Sequence, residues 1–197
     1  MLAEDTFNES KLTGAYNFGP NKQGAASVKS VIRITKEILN IANKTPLSNA
    51  SIFSSYGPMQ NIRRSKICWL SDKWIKMLLW EYVLKANKAF QIDIENNSEV
   101  QFIEYRHNEK GHYDWHHDVN WNGQDGMDRK LSVTIQLSDS NEYVGGNFEF
   151  DEIKTNVDFK PQGTVIIFPS YLRHRVSPVT FGTRRSLVAW YYGPKWR

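Results

Sequence analysis

A chain of 197 residues with 40% hydrophobic, 13% aromatic and 23% charged side chains can bury a full core, which excludes intrinsic disorder as a description of the whole. Its 25 Lys and Arg against 21 Asp and Glu leave a net charge of +4, too mild for a dedicated nucleic-acid binder. The single cysteine, Cys68, excludes an intrachain disulfide and any Cys-rich zinc site.

The opening MLAEDTFNES is acidic and no apolar run reaches membrane-spanning length, so the expectation is a cytoplasmic protein without signal peptide or membrane segment. Residues 1–26 are polar and glycine-containing and predict an arm, either loosely packed or docked by Tyr16 and Phe18. From Val28 to Ala42 the apolar residues recur at helical spacing behind Ser27 as cap, and Pro46 ends the pattern. Ile62–Leu70 alternates polar and apolar residues and predicts a strand. A second helix, capped by Ser71 or Asp72, runs to about Phe90 with Ile75, Leu78, Leu79, Tyr82, Val83 and Ala86 on one face. After Glu95–Ser98 the chain turns to short β-branched and aromatic runs broken by Gly, Pro, Asn and Asp. These predict strands near 100–106, 112–119, 130–138, 147–153, 164–168, 174–179 and 186–193. The pattern is that of an α+β domain, a sandwich or barrel preceded by covering helices.

Four of the five histidines lie within eleven residues: His107, His112, His116 and His117. In an extended strand His112, Asp114, His116 and Asp118 alternate onto one face. An imidazole and a carboxylate two residues apart can both reach one cation at bond lengths of about 2.0–2.2 Å. Two such His-x-Asp pairs are present, and spacing alone does not choose between them. A third ligand must come from elsewhere, and the only other histidine is His174. Two imidazoles and one carboxylate leaving three open positions is the arrangement of non-haem Fe(II) oxygenases. Downstream, Arg184 falls on the strand after His174 if Gly182 forms a tight turn that lays the two strands side by side. From there its guanidinium can take a carboxylate bidentately.

The order Tyr105, then Gly111-x-Tyr113-x-x-His116-x-Asp118, Gly145-Gly146, Gly163-Thr164, Phe168-Pro169-Ser170 and His174-x-Val176-x-Pro178-Val179-x-x-Gly182-x-Arg184 resembles the prolyl 4-hydroxylase-type 2-oxoglutarate/Fe(II)-dependent dioxygenases over about residues 62–193. The resemblance implies a double-stranded β-helix, a jelly-roll or cupin-like barrel, with supporting N-terminal helices. It divides the chain into an arm over 1–26 and one dioxygenase domain over 27–197, helical over 27–95 with the β-helix core over 96–193. It implies His116, Asp118 and His174 as metal ligands, leaving His112, Asp114 and His117 aside. Arg184 is then the partner of the distal carboxylate of 2-oxoglutarate, with Tyr105 a second co-substrate contact. Tyr113, Gln136, Thr164 and Trp190 are implied to line the pocket. The pattern departs from relatives in the charged loop Arg106–Lys110, one residue longer than in some of them. It departs again at Gln136, which stands where a tyrosine often holds the co-substrate. That leaves the second carboxylate contact open among Ser132, Thr134 and Thr164.

The implied activity is an O₂-dependent hydroxylase using Fe(II), with 2-oxoglutarate as co-substrate, succinate and CO₂ as co-products and ascorbate to keep iron reduced. Its implied substrate is a prolyl residue in a peptide or protein. A free amino acid or small metabolite is the alternative within the class, and a non-catalytic metal-binding or interaction module the alternative outside it. A nucleic-acid substrate is disfavoured, because Trp190 stands where the demethylases of the superfamily carry a second arginine. The loop 120–128, polar and bearing Trp121, reads equally as a substrate lid or as an exposed connection.

Overall fold

The computed structural model describes residues 28–50, 53–54, 57–58, 62–119, 126–155 and 157–197. The predicted arm, the Ser27 cap and residues 120–125 of the predicted lid lie outside them. Helix α1 spans Val28–Lys44. Short strands β1 (Ser48–Asn49), β2 (Phe53–Ser54), β3 (Gly57–Pro58), β4 (Arg63–Arg64) and β5 (Lys66–Trp69) follow. Helix α2 (Lys73–Phe90) then leads into β6 (Ser98–Arg106), a 3₁₀ turn (His107–Glu109), β7 (His112–His116) and β8 (Met127–Gln136). The chain finishes with β9 (Tyr143–Gly145), β10 (Phe148–Phe150), β11 (Val165–Pro169), β12 (His174–Val176) and β13 (Val179–Pro194). Among the described residues no helix is long and apolar enough to cross a membrane.

The strands form a major sheet in the order β1-β5-β6-β13-β8-β11, with β9 pairing the start of β13, and a facing minor sheet β10-β12-β7-β4. Every pairing is antiparallel. This is the double-stranded β-helix expected of the chain. Period-two alternation splits the major sheet's side chains between its two faces. Val100 and Phe102, Leu131, Val133 and Ile135, and Leu187, Ala189 and Tyr191 pack outward with Ile75, Leu79, Val83 and Ala86 of α2 and Ile38 and Ala42 of α1. Ile103 and Tyr105 belong instead to a second cluster with Tyr143, Val176 and Val179, between the sheets. With both faces buried, these strands read as nearly continuous apolar runs, and the outward cluster stabilises the sheet that carries the site.

Several boundaries differ from the sequence expectation, each for a local reason. Asp72 occupies the N-cap of α2 with extended backbone, yet its side chain makes no capping bond. The other end is tied firmly: Gln91 adopts the left-handed conformation and its N–H bonds Asn87 O, while the Asn87 amide holds both backbone groups of Ile92. The predicted strand 62–70 is two strands in different sheets, because the chain changes sheet at the buried Ser65. The strand predicted from 112 stops at His116, and that predicted over 147–153 contracts to β10, with β9 a strand the sequence did not suggest. Gly182 makes no reversal. It bends a continuous 16-residue β13 at φ +70°, where a Cβ would stand 1.9 Å from Glu142 O. His174 and Arg184 therefore approach from opposite sheets, not from adjacent strands.

Candidate metal centre

His116 ends β7, and its register with β12 explains how it faces inward. His174 pairs with His116 and Val176 with Tyr113, so three steps along β7 match two along β12. This bulge shifts the phase of alternation and puts Tyr113 and His116 on the same face. Their rings stack at 3.4 Å between centroids. The regular alternation that would have brought His112 and Asp114 to the metal face is thereby broken. Asp114 is exposed and its carboxylate accepts the Trp115 N–H, while the His112 Nδ1–H donates to Lys110 O. His117 is exposed and donates to Tyr171 O, and His107 donates to Gly182 O on the surface.

Three side chains meet between the sheets. His116 Nε2 lies 3.6 Å from Asp118 Oδ1, His174 Nε2 lies 3.7 Å from Asp118 Oδ2, and the ligand-capable atoms of all three fall within 4.8 Å of one another. Both imidazoles are oriented alike: His116 Nδ1–H donates to Asp114 O at 2.7 Å and His174 Nδ1–H to Leu172 O at 2.9 Å. A carbonyl can only accept, so each proton sits on Nδ1 and each Nε2 lone pair is aimed at the centre. Burial, then the neighbouring His174, pushes the His116 pKa from 6.5 down to about 3, which keeps the ring neutral, as a metal ligand must be, at physiological pH. Burial opposes ionisation of Asp118, but His174, His116 and the Ser132 hydroxyl outweigh it and hold the pKa below the usual carboxylate value.

The surroundings fix this geometry. Ser132 Oγ donates to Asp118 Oδ2 at 2.6 Å and takes a bond from Ser170 Oγ at 2.9 Å, while the Asp118 N–H bonds Ser170 O. Phe168, Phe148 and Phe150 surround the His174 ring at 4.8, 5.4 and 6.4 Å. The centre opens into a cleft of about 380 Å³ lined also by Tyr105, Thr134, Arg184, Ser186 and Trp190. Trp190 lies under the Arg129 guanidinium at 4.0 Å.

Arg184, only 3% exposed, reaches the cleft from β13. Its guanidinium sits 5.6 Å from the Tyr105 ring, and Ser186 Oγ accepts from it at 3.4 Å. Among the described residues no carboxylate pairs with it. The contrast with Arg185 is the alternation of the strand: Arg185 points outward and bonds Glu104 at 3.0 Å. Gly146 makes room for the Arg184 stem, since a Cβ there would lie 2.9 Å from its Cδ. A buried cation surrounded by neutral groups is costly unless an anion joins it.

Gln136 and Thr164, expected in the pocket, stand outside its lining. Gln136 turns to Tyr143, its Nε2 donating to the Tyr143 hydroxyl at 2.6 Å, and Thr164 is spent on pairing, its carbonyl accepting the Gln136 N–H. Of the residues weighed for the second contact, Ser132 serves Asp118 and Thr134 lines the cleft. Sequence reasoning missed Tyr143, Ser186, Phe148 and Phe150, and took Phe168 and Ser170 only as part of a motif without assigning their contacts to His174 and Ser132. The alternation along β8 and β13 was the signal that could have found Ser186, two residues from Arg184 on the same face.

Two imidazole nitrogens and a carboxylate oxygen within reach of one ion, neutral and anionic as ligation requires, fit an iron site. Two imidazoles and one carboxylate that leave positions open on the metal are the arrangement of non-haem Fe(II) oxygenases. Residues 100–192 match the model of the 2OG-Fe(II) oxygenase superfamily. A PKHD-type hydroxylase from Synechococcus sp. (strain CC9311) is 36% identical over 91 residues, 46% of this chain and 40% of the relative. One from Prochlorococcus marinus is 46% identical over 61 residues, 30% of this chain and 28% of the relative. The chain thus spans less than half the length of these curated relatives. The fold is shared with a Pseudomonas putida prolyl-4-hydroxylase (TM-score 0.67, 20% identity, 99% of this chain and 100% of that one). It is shared also with a Trichoplax adhaerens prolyl hydroxylase solved with a hypoxia inducible factor peptide fragment (TM-score 0.67, 19% identity, 98% and 89%).

Proposed function

We propose that this chain is a 2-oxoglutarate- and O₂-dependent Fe(II) hydroxylase acting on a prolyl residue within a peptide or protein. The observation that carries the reading is the meeting, in one cleft, of a His116–Asp118–His174 set and a buried Arg184 that has no carboxylate partner among the described residues. His116, Asp118 and His174 would hold the iron, and Arg184 would take the distal carboxylate of 2-oxoglutarate, with Tyr105 and Ser186 beside it. Bound there, Fe(II) and 2-oxoglutarate supply oxidation of an unactivated C–H bond by O₂, with succinate and CO₂ as co-products.

The protein's own part is to bind, orient and exclude water. The two Nδ1–H bonds to backbone carbonyls keep both Nε2 atoms available, and the Ser170–Ser132 chain steadies the Asp118 carboxylate. Tyr105 and Ser186 hold the Arg184 guanidinium in place without neutralising it, so its full charge is offered to an anion. Phe148, Phe168 and Trp190 wall the centre with apolar surface. A polypeptide substrate is supported by the peptide bound to the Trichoplax neighbour and by the prolyl hydroxylase name of the Pseudomonas one. The test is succinate release with Fe(II), 2-oxoglutarate and ascorbate across proline peptides and free amino acids. The reading expects peptide-stimulated succinate that His174→Ala abolishes. Stimulation by a free amino acid alone would replace the substrate, and no succinate with any candidate would support a non-catalytic module.

A further inference from the structure

The metal centre uses His116 and His174 and leaves the rest of the histidine crowd and the long charged loop without a role. Two of those histidines gather at a second opening, an exposed groove of about 870 Å³ lined by Arg64, His107, Lys110 and His112 over Pro178 and Thr180. Among the described residues no carboxylate lines it. Arg64 and His112 stand directly opposite in the β4–β7 ladder. Both rings are oriented through Nδ1, His112 onto Lys110 O and His107 onto Gly182 O. Lys110 holds φ +52°, a left-handed conformation unfavourable for a residue with a Cβ, at the end of the 3₁₀ turn. Glu109, the acid nearest in sequence, is shared between Lys66 and Arg106, and neither Arg64 nor Lys110 has an ion-pair partner among the described residues.

The groove is tied to the cleft by one step of chain. On the edge strand β4, Arg63 lines the cleft and Arg64 the groove, and on β7 Tyr113 and His112 divide in the same way, so the two openings lie on opposite faces of the minor sheet and meet around its β4 edge. Phe181, 62% exposed and stacked on His107 at 6.0 Å, adds an apolar contact beside the charges. A polypeptide held in the cleft would meet both the charges and this ring.

We propose that this groove receives an acidic segment of the polypeptide substrate, a few residues from the one placed in the cleft. The assignment rests on the hydroxylase reading for the cleft, but its test is a binding measurement that does not need turnover. Fluorescein-labelled proline peptides flanked by glutamates, by lysines or by neutral residues are titrated into the metal-free protein and followed by anisotropy, alongside a labelled single-stranded oligonucleotide. The double reversal Arg64→Glu/Lys110→Glu changes two exposed side chains outside the cleft, and the melting temperature reports that it folds. The wild type should bind the glutamate-flanked peptide most tightly. The reversal should weaken that peptide about tenfold, leave the neutral one unchanged and favour the lysine-flanked one, the scale expected for two exposed charge pairs. Binding indifferent to peptide charge or to the reversal overturns the groove assignment even where succinate release is normal. Tighter binding of the oligonucleotide with the same sensitivity overturns it as well. Charge-selective peptide binding without succinate release upholds the groove and removes the hydroxylase reading.

Discussion

Replacing Ser132 by alanine removes one hydroxyl and little else, and it isolates what orients the Asp118 carboxylate. Ser132 is fully buried, its Oγ lies 2.6 Å from Asp118 Oδ2, and the acceptor is ionised. A hydrogen bond to a charged group of this kind contributes about 1.5–3 kcal/mol. At about 1.4 kcal/mol per factor of ten, its loss should weaken divalent metal binding about ten- to a hundredfold, the range known for groups that orient metal ligands. Ser170→Ala removes the bond one step further out, at 2.9 Å, and should cost less. Anaerobic calorimetric titration with Fe(II) measures both, with thermal unfolding of the metal-free variants as the folding control. Metal affinity of Ser132→Ala within twofold of the wild type, or a larger loss in Ser170→Ala, would refute the claim that this chain of hydroxyls sets the carboxylate.

Tyr143→Phe takes the acceptor from Gln136 Nε2 and the hydroxyl from beside Arg184, and should raise the KM for 2-oxoglutarate about tenfold with kcat nearly unchanged. Steady-state kinetics at saturating iron checks the split. Gly182→Ala meets both a positive φ and the Glu142 carbonyl, so the β9–β13 pairing should fail and the melting temperature fall by several degrees, about the effect of 1–3 kcal/mol. In the metal-free protein the depressed pKa of His116 makes its stability contribution complete above pH 6.5 and lost as pH falls toward about 3, at up to about 1.4 kcal/mol per unit. Urea unfolding at pH 7.5 and pH 5 should show that loss, and His116→Gln should flatten it. Deletion of residues 1–26 should leave 2-oxoglutarate turnover largely intact, and loss of iron binding on that truncation would contradict their assignment as an arm.

What could be read from the chain divides along physical lines. Helices α1 and α2 were legible because their apolar residues repeat at a period no strand shares, and β6, β8 and β11 because both of their faces are buried. The proposed ligands His116, Asp118 and His174 and the proposed anion partner Arg184 follow from the order of their motifs. Simple alternation would have admitted His112 and Asp114 equally. It failed there because the bulge in β7 is a property of the β7–β12 pairing, and no residue in β7 announces it. The partition of Arg63 and Lys66 into different sheets was hidden for the same reason, since sheet membership is set by distant partners. Gly182 was recognised as special, and its positive φ bears that out, but a glycine that bends a strand and one that reverses it look alike in sequence. Tyr143 was missed because β9 is only three residues long and its pairing with β13 depends on that bend.

The central claim is that His116, Asp118 and His174 hold one iron and that Arg184 receives the far end of 2-oxoglutarate beside it. Anaerobic titration of the metal-free chain with Fe(II), followed by 2-oxoglutarate, tests both halves in one cell. The account predicts one Fe(II) per chain, lost in Asp118→Ala and in His174→Ala. It also predicts 2-oxoglutarate binding that requires the iron and falls by about a hundredfold or more in Arg184→Met, which keeps its iron. Iron binding that survives both ligand substitutions, or 2-oxoglutarate binding indifferent to Arg184→Met, would contradict it.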